Sequence, residues 1–157
     1  MTDAPAPDMH ATPTVAAPAA ATKKPALGNN PYHWGTGRRK TAVARVRIKP
    51  GSGQFKVNDR DVDEFFKVDE NRAAVRTPLS VTETIKSMDV FVNVHGGGIH
   101  GQADAVVLGL ARALVKANSD YEPKLRANDL LTRDARKVER KKYGQSGARK
   151  RFQYSKR

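Results

Sequence analysis

Residues 89–117 read DVFVNVHGGGIHGQADAVVLGLARALVKA, and this stretch decides the fold. Val90, Val92 and Val94 alternate with other residues, so they share one face of a predicted strand. Three consecutive glycines end that strand, and an amphipathic helix is predicted over residues 101–117. A strand that leads into a helix in this way indicates a mixed α/β domain. The predicted buried stripe of the helix consists of Ala103, Val107, Leu110, Ala111 and Leu114.

A second strand is predicted upstream, within GTGRRKTAVARVRIKPGSG at residues 35–53. Its alternation separates an apolar face from a cationic face that carries Arg45 and Arg47. The Pro-Gly-Ser-Gly run at residues 50–53 predicts a turn, and residues 54–57 are expected to form a short return strand. The apolar face of the first strand consists of Ala42, Ala44, Val46 and Ile48.

Two short helical elements are predicted between these strands. Residues 61–64 are typical of a helical turn capped by the carboxylate of its first residue. Residues 65–66, both Phe, are expected to enter the core. A helix at residues 70–76 is expected to stop before Pro78, because the residue that precedes a proline disfavours the helical conformation.

The chain after residue 117 predicts a helix at residues 123–127 that ends at a left-handed Asn128. A last strand is expected at residues 137–141. Together these elements predict a two-layer α/β (α+β) sandwich: one small mixed sheet has helices on one face, and its other face is free to meet RNA. The expected organisation is an Ala/Pro-rich disordered extension at residues 1–31, an α/β RNA-binding domain at 32–142 and an extended basic tail at 143–157.

The last quarter of the chain, residues 132–157, is called the basic segment here. After its first residue it holds eleven Lys or Arg residues against two acidic ones, which accounts for nine of the thirteen net positive charges of the chain. Such blocks stay in water and usually serve as interaction tails. Binding to a polyanion is therefore favoured over a solvated tail that only confers solubility. Aromatic rings that could stack on bases are interleaved with the charges at Tyr143, Phe152 and Tyr154.

Composition excludes several other classes of protein. The chain has 157 residues, a net charge of +13 and no cysteine, so it has no disulfide framework, thiolate metal site or cysteine nucleophile. It lacks the run of about 18 apolar residues that spans a bilayer, and its N-terminus lacks the basic region of a signal peptide. A cytoplasmic protein with one domain is expected, and its charge points to nucleic acid or an anionic membrane.

Gly96, Gly98 and Gly101 spell G-x-G-x-x-G between a strand and a helix, the setting of a dinucleotide-binding fingerprint. The suitably spaced acid, Asp120, does not end a second parallel strand, so the βαβ unit is incomplete. The glycines more simply allow a tight turn that leaves the helix N-terminus open to a phosphate, including one of an RNA backbone. Backbone approach to phosphate is predicted at Gly96, Gly97, Gly98 and Gly101.

Residues 35–41, GTGRRKT, resemble a phosphate-binding loop at first sight. They lack the four-residue gap of that motif and precede a strand instead of opening a helix, so nucleotide hydrolysis is disfavoured. Arg38, Arg39 and Lys40 are predicted to clamp RNA phosphates, with a purely solvated turn as the alternative.

No convincing catalytic or metal site emerges. His95 and His100 flank the glycines without a third ligand nearby, which makes a poor metal site. The hydroxyl and carboxylate of residues 132–134 have no neighbouring histidine, and a local turn in which Asp134 holds Arg133 or Arg136 is preferred. The sequence therefore predicts no enzyme activity, no cofactor and no metal.

Four blocks of sequence carry a resemblance to one known family. The blocks are GTGRRKTAVARVRI (35–48), DVFVNVHGGGIHGQADAVVLGLARALV (89–115), LLTRDARKVERKKYG (130–144) and QYSKR (153–157). They follow one another in order and cover most of residues 35–157, and in them the chain resembles the ninth protein of the small ribosomal subunit, bacterial type. Residues 1–34 lie outside the resemblance.

The resemblance implies a ribosomal S-five domain-two-like fold with a left-handed crossover, an exception to the usual right-handed rule. It also implies a structural role in the head of the small ribosomal subunit, in the cytoplasm, among neighbouring head proteins. The C-terminal tail is expected to reach the peptidyl site, where Ser155, Lys156 and Arg157 would contact bound tRNA. The remaining cations expected at small-subunit ribosomal RNA (rRNA) are Arg38, Arg39, Lys40, Arg45, Arg47, Arg133, Arg136, Lys137, Arg140, Lys141, Lys142, Arg149, Lys150 and Arg151.

Two other functions share parts of this pattern. A free-standing nucleic-acid chaperone or architectural DNA-binding protein would have the same basic segment on a small fold. A small nucleotide-using enzyme could be built on the glycine loop. The sequence also departs from the family at His100 and Asp104, where small residues are common, and the Asp104 carboxylate would repel a phosphate at the helix start.

Overall fold

The structure is a computed structural model, and it describes residues 31–156. The predicted disordered extension at residues 1–31 lies outside the described residues except for Pro31, and so does Arg157. The elements are β1 (His33–Arg39), β2 (Ala42–Pro50), β3 (Phe55–Val57), β4 (Arg60–Asp61), α1 (Val62–Phe65), α2 (Asp69–Val81), β5 (Met88–His95), α3 (Ile99–Ala117), a 3-10 turn (Ser119–Tyr121) and α4 (Glu122–Ala127). Among the residues described, no helix is long and apolar enough to cross a membrane.

The five strands form one mixed sheet in the order β1-β2-β5-β3-β4. Neighbouring strands are antiparallel except β3 and β5, which are parallel. A parallel pair needs a crossover connection, and here it runs through β4, α1 and α2. Helix α3 packs against β1, β2 and α2. The predicted α/β class, with a small mixed sheet and helices, is confirmed, and the left hand of the crossover stays a prediction.

The core lies where the apolar faces of β2, β5 and α3 meet. The four alternate apolar residues of β2 and the three valines of β5 are all buried, as their period of two predicted. Helix α3 buries a wider surface than the predicted stripe, because the sheet covers one side and α2 another. Val107 is only partly buried, whereas Val106 and Leu108 are buried.

Strand β1 was not predicted from the sequence. Its glycines explain why it shows no hydrophobic alternation and why it lies so close to α3. Gly35 and Gly37 are buried and face α3. A Cβ on Gly35 would lie 2.0 Å from the carbonyl oxygen of Gly109, and one on Gly37 would lie 1.9 Å from that of Ala105. The strand backbone therefore lies directly on the helix backbone, an approach that only glycine permits.

Three predicted details of the first half of the domain were wrong or incomplete. β3 does not return along β2 but pairs in parallel with β5. Asp61 precedes α1 without a side-chain capping bond. Helix α2 continues through Pro78 to Val81, because Pro78 and Leu79 are buried in the core and this packing offsets the lost backbone bond.

Two predictions after residue 117 were also wrong. Asn128 ends α4 with φ −101°, and the left-handed residue is its neighbour Asp129 with φ 55°. Residues 137–141 form no strand, because five of the seven residues from 136 to 142 are cations and all seven lie exposed on the surface. Like charges that stay in water do not pack against a sheet edge.

Candidate nucleic-acid interface

The end of β1 and the turn after it hold the first cluster of predicted RNA contacts. Strand alternation points Arg38 outward and Arg39 inward. Lys40 follows in the left-handed conformation, with φ 51°, and is exposed. Arg38 and Lys40 are thus available to a phosphate, whereas Arg39 is buried with 8% of its surface exposed.

The side chain of Arg39 binds one residue of the domain, Asp104, and two residues at the start of the basic segment, Asp134 and Arg136. We call these four residues the root clasp. Its Nε lies 3.3 Å from Oδ2 of Asp104 on α3, and one terminal nitrogen lies 2.9 Å from Oδ2 of Asp134. The other terminal nitrogen donates a 2.7 Å hydrogen bond to the carbonyl oxygen of Arg136. The root clasp consists of Arg39, Asp104, Asp134 and Arg136. It fixes the direction in which the basic segment leaves the domain, and it neutralises the carboxylate of Asp104.

Asp134 also organises its own turn, as the sequence predicted. Its Oδ1 accepts a 2.8 Å hydrogen bond from the backbone N–H of Arg136, and its Oδ2 lies 2.7 Å from the guanidinium of Arg136. The side-chain bond from Arg136, followed by the backbone bond, lowers the pKa of Asp134 to about 2. The same contact raises the pKa of Arg136. Arg136, not Arg133, is the partner.

Beyond the root clasp the basic segment runs over the surface without helix or strand. Glu139 and Arg149 close a loop within it, with Arg149 Nε 3.1 Å from a Glu139 carboxylate oxygen. Gly144, at φ 67°, makes the reversal possible. The predicted cations at 133, 137, 140–142 and 149–151 are exposed, and so are Ser155 and Lys156.

The aromatic rings of the basic segment are exposed as well. Tyr143, Phe152 and Tyr154 have 95%, 69% and 84% of their surface exposed. None of the three rings contributes to the hydrophobic core of the domain. The structure therefore presents an exposed strip in which cations alternate with rings.

The outer face of the sheet holds Arg45 and Arg47 in two different environments. Arg45 is exposed, whereas Arg47 lies against a pair of rings, with its guanidinium carbon 5.7 Å from the ring centre of Tyr32 and 5.5 Å from that of Phe91. Trp34 lies directly across from Arg47 on β1. Sequence reasoning missed these three aromatic residues, although Trp34 and Phe91 alternate with buried positions and could have been assigned to this face.

The glycine loop links β5 to α3 and is open to solvent. Gly96 and Gly97 have φ of 75° and 62°, and the Gln102 side chain donates a 3.0 Å hydrogen bond to the Gly96 carbonyl oxygen. A Cβ on Gly98 would meet nothing within 4 Å. Within residues 31–156 no strand follows α3, so the βαβ unit of a dinucleotide site is not formed. His95 and His100 are exposed, and the described part of the chain holds no group of three or more possible metal ligands.

Comparison with known proteins gives one consistent result. Residues 37–157 match the sequence model of the family described as ribosomal protein S9/S16. A Treponema pallidum protein named small ribosomal subunit protein uS9 is 58% identical over 123 residues, which cover 78% of this chain and 95% of the relative. Proteins of the same name from Borreliella burgdorferi and Anaeromyxobacter sp. (strain K) are 50% and 52% identical; they cover 86% and 77% of this chain, and this chain covers 99% and 93% of them.

Proposed function

This chain belongs to the ribosomal protein S9/S16 family, and from that premise we propose that its basic segment binds small-subunit rRNA while its last residues contact tRNA in the peptidyl site. Family membership makes the chain a structural, non-enzymatic protein of the small ribosomal subunit, located in the cytoplasm. The predicted absence of enzyme activity and the predicted location are thereby confirmed. The RNA contacts of individual residues are the proposal.

The exposed strip anchored at the root clasp is the observation that carries this proposal. Two of its cations form ion pairs with acidic side chains of the protein: Arg136 pairs with Asp134, and Arg149 pairs with Glu139. Each Lys or Arg that meets a phosphate releases condensed counterions, so a dense row of them binds RNA strongly and without sequence readout. We assign Lys137, the cations at 140–142 and those at 149–151 to rRNA phosphates.

The domain adds a smaller set of proposed contacts. Arg38, Lys40 and Arg45 are exposed cations, and Arg133 lies beside the root clasp. We retain all four as rRNA ligands, together with the backbone of the glycine loop at residues 96–101. Arg39 enters only as a positioning residue, because its guanidinium is engaged by three groups of the protein.

The proposed tRNA contact follows from the length of chain beyond the last internal contact of the basic segment. The loop closed by Glu139 and Arg149 ends near residue 150. The seven residues 151–157, when extended, span up to about 23 Å. The tip at Ser155, Lys156 and Arg157 can therefore meet a ligand well away from the domain, and its two cations suit the phosphates of a tRNA stem. In this arrangement the domain would stay bound to rRNA while residues 155–157 contact the tRNA.

Salt-dependent binding to a transcript of the rRNA head domain tests the rRNA proposal. Alanine at Arg140, Lys141 and Lys142 together should lower affinity and reduce the slope of log K against log salt by about 2 to 3, since each lost phosphate contact removes 0.7 to 0.9. The matched control carries alanine at Lys86, Lys116 and Lys124, three exposed cations of the domain, and should keep the slope of the parent chain. Equal slopes for all three proteins would refute the assignment.

A further inference from the structure

We propose that the outer face of the sheet is a stacking platform for unpaired RNA bases, separate from the basic segment that holds phosphates. The inference rests on the proposed function in one respect, that the ligand of this chain is RNA. It adds a second binding surface on the domain, and it assigns that surface a different chemistry: rings that take bases, with cations between them.

The strand register sets rings and cations in one row across four strands. Trp34 on β1 faces Arg47 on β2, Arg47 faces Phe91 on β5, and Phe91 faces Lys56 on β3. Neighbouring strands lie about 4.8 Å apart, so the row is about 14 Å wide and its two rings are about 10 Å apart. That spacing suits bases that are splayed from one another, not bases stacked in a helix.

A third ring and a third cation, Tyr32 and Lys49, lie along one side of this row. The rings of Tyr32 and Phe91 meet edge to face, with centres 6.3 Å apart. Lys49 Nζ lies 6.0 Å from the centre of Tyr32 and 5.6 Å from that of Phe91. Arg47 is within 6 Å of both rings, and its buried Nε has no hydrogen-bond partner in the protein.

Charge on this face favours RNA over a protein partner. Asp89 lies at one end of the sheet, but its Oδ1 accepts hydrogen bonds from the backbone N–H groups of Ser52, Gly53 and Gln54, at 2.8, 3.0 and 3.0 Å. These bonds, that of Gln54 first, lower the pKa of Asp89 and hold its carboxylate at the turn. Its other oxygen, Oδ2, lies 3.9 Å from Lys49 Nζ, so Asp89 also offsets one cation of this face. The other outward acid of the sheet is Asp61 at its edge. Against them the face presents five cations, namely Arg38, Arg45, Arg47, Lys49 and Lys56.

This mixture differs from the centre of a protein–protein interface, where charged residues are depleted. Aromatic side chains between cations on a sheet are the pattern by which proteins bind single-stranded nucleic acid. Trp34 remains 44% exposed, and Thr36, Arg45 and Asn93 are exposed beside it. The platform is therefore open on the side away from α3.

Trp34 makes the proposal directly testable, because it is the single tryptophan of the chain. The full chain is titrated with an end-labelled single-stranded RNA of about 12 nucleotides, and separately with the same RNA annealed to its complement. Label anisotropy reports binding by any part of the protein, and Trp34 fluorescence reports occupation of the platform. Both RNAs should bind, and only the single strand should quench Trp34, since the bases of the duplex are already stacked.

A matched pair of variants assigns the effect to the row. Phe91→Leu removes a ring of the platform, whereas Phe55→Leu removes one from β3 that packs against the core. Phe91→Leu should weaken single-strand binding about fivefold or more and leave duplex binding unchanged. Phe55→Leu should change neither, and circular dichroism checks that both variants are folded.

The possible results separate the platform from the proposed function. Binding of both RNAs without any change in Trp34 would overturn the platform and leave the basic segment as the RNA site. Equal quenching by duplex and single strand would overturn it as well, because the contact would then be to phosphates. A Trp34 signal that responds to purified small-subunit proteins and to no RNA would make this face a protein interface. Absence of any RNA binding would remove the proposed function too.

Discussion

Arg39 shows how position in the fold decides which contacts a residue makes within the protein. It stands between two exposed cations in the run Arg38-Arg39-Lys40, yet strand alternation turns it inward to the root clasp. The sequence predicted three equivalent phosphate contacts because it contains no sign of partners 65 and 95 positions away, at Asp104 and Asp134. Local pairing was predictable: the turn in which Asp134 holds Arg136 spans two residues.

Loss of the Arg39 side chain should destabilise the domain while loss of its neighbour should not. Arg39→Ala removes a guanidinium that donates to three oxygens, and a loss of about 1 to 2 kcal/mol is expected, since Asp104 is half exposed and regains water. Arg38→Ala, one residue away and exposed, should cost less than about 0.5 kcal/mol. Urea unfolding of the two variants measures the difference. Equal stabilities would show that the root clasp contributes nothing.

The root clasp should be insensitive to pH over the whole physiological range. The pKa of Asp134 is lowered to about 2 from its ordinary 3.8, so its stabilising effect is fully present above pH 4 and is lost as the pH falls toward 2. The side-chain Nε–H signal of Arg136 in an NMR titration reports the contact. It should stay constant from pH 8 to about 4 and move below that. A midpoint near neutral pH would contradict the assignment, and Asp134→Asn should abolish the low-pH transition.

Among the elements, those with strong hydrophobic periodicity were predictable and those defined by close backbone contact were not. β2, β5 and α3 alternate or repeat their apolar residues, and the structure confirms all three. β1 was not predicted because its buried positions hold Gly35 and Gly37, and glycine adds nothing to a hydrophobic alternation pattern. The platform was missed for a related reason: its row joins β1, β2, β5 and β3, and only the pairing of strands brings the rings together.

The close packing of β1 on α3 should tolerate no side chain at Gly37. A methyl group there would lie 1.9 Å from a backbone oxygen of α3, so Gly37→Ala must push the strand off the helix. Overpacking of this kind costs about 3 kcal/mol. Gly98→Ala is the matched control, because its Cβ would meet nothing within 4 Å and its φ of −105° suits any residue. Thermal unfolding should separate the two variants, and similar melting temperatures would mean that the strand can shift freely.

At the scale of the whole molecule, charge is divided between two kinds of surface. The basic segment extends from the domain as an exposed strip, and the outer face of the sheet carries cations among rings. Residues 59–70 carry the opposite charge: this stretch has six acidic and two basic residues, although the net charge of the whole chain is +13. RNA should be repelled there and attracted to the other two surfaces. We expect this asymmetry to orient the domain on a polyanion before any specific contact forms.

The tip of the basic segment is the part whose loss should affect tRNA and leave assembly intact. Deleting residues 155–157 removes two cations beyond the loop closed by Glu139 and Arg149, so the proposed rRNA contacts remain. Affinity for tRNA in the peptidyl site should fall about tenfold, which corresponds to two exposed charge contacts of about 0.7 kcal/mol each. Lys156→Ala with Arg157→Ala keeps the length and separates charge from reach. Binding of tRNA to the aminoacyl site of the same subunits serves as the internal reference. If both sites lose affinity equally, the tip acts on the subunit as a whole; if neither does, it does not touch tRNA.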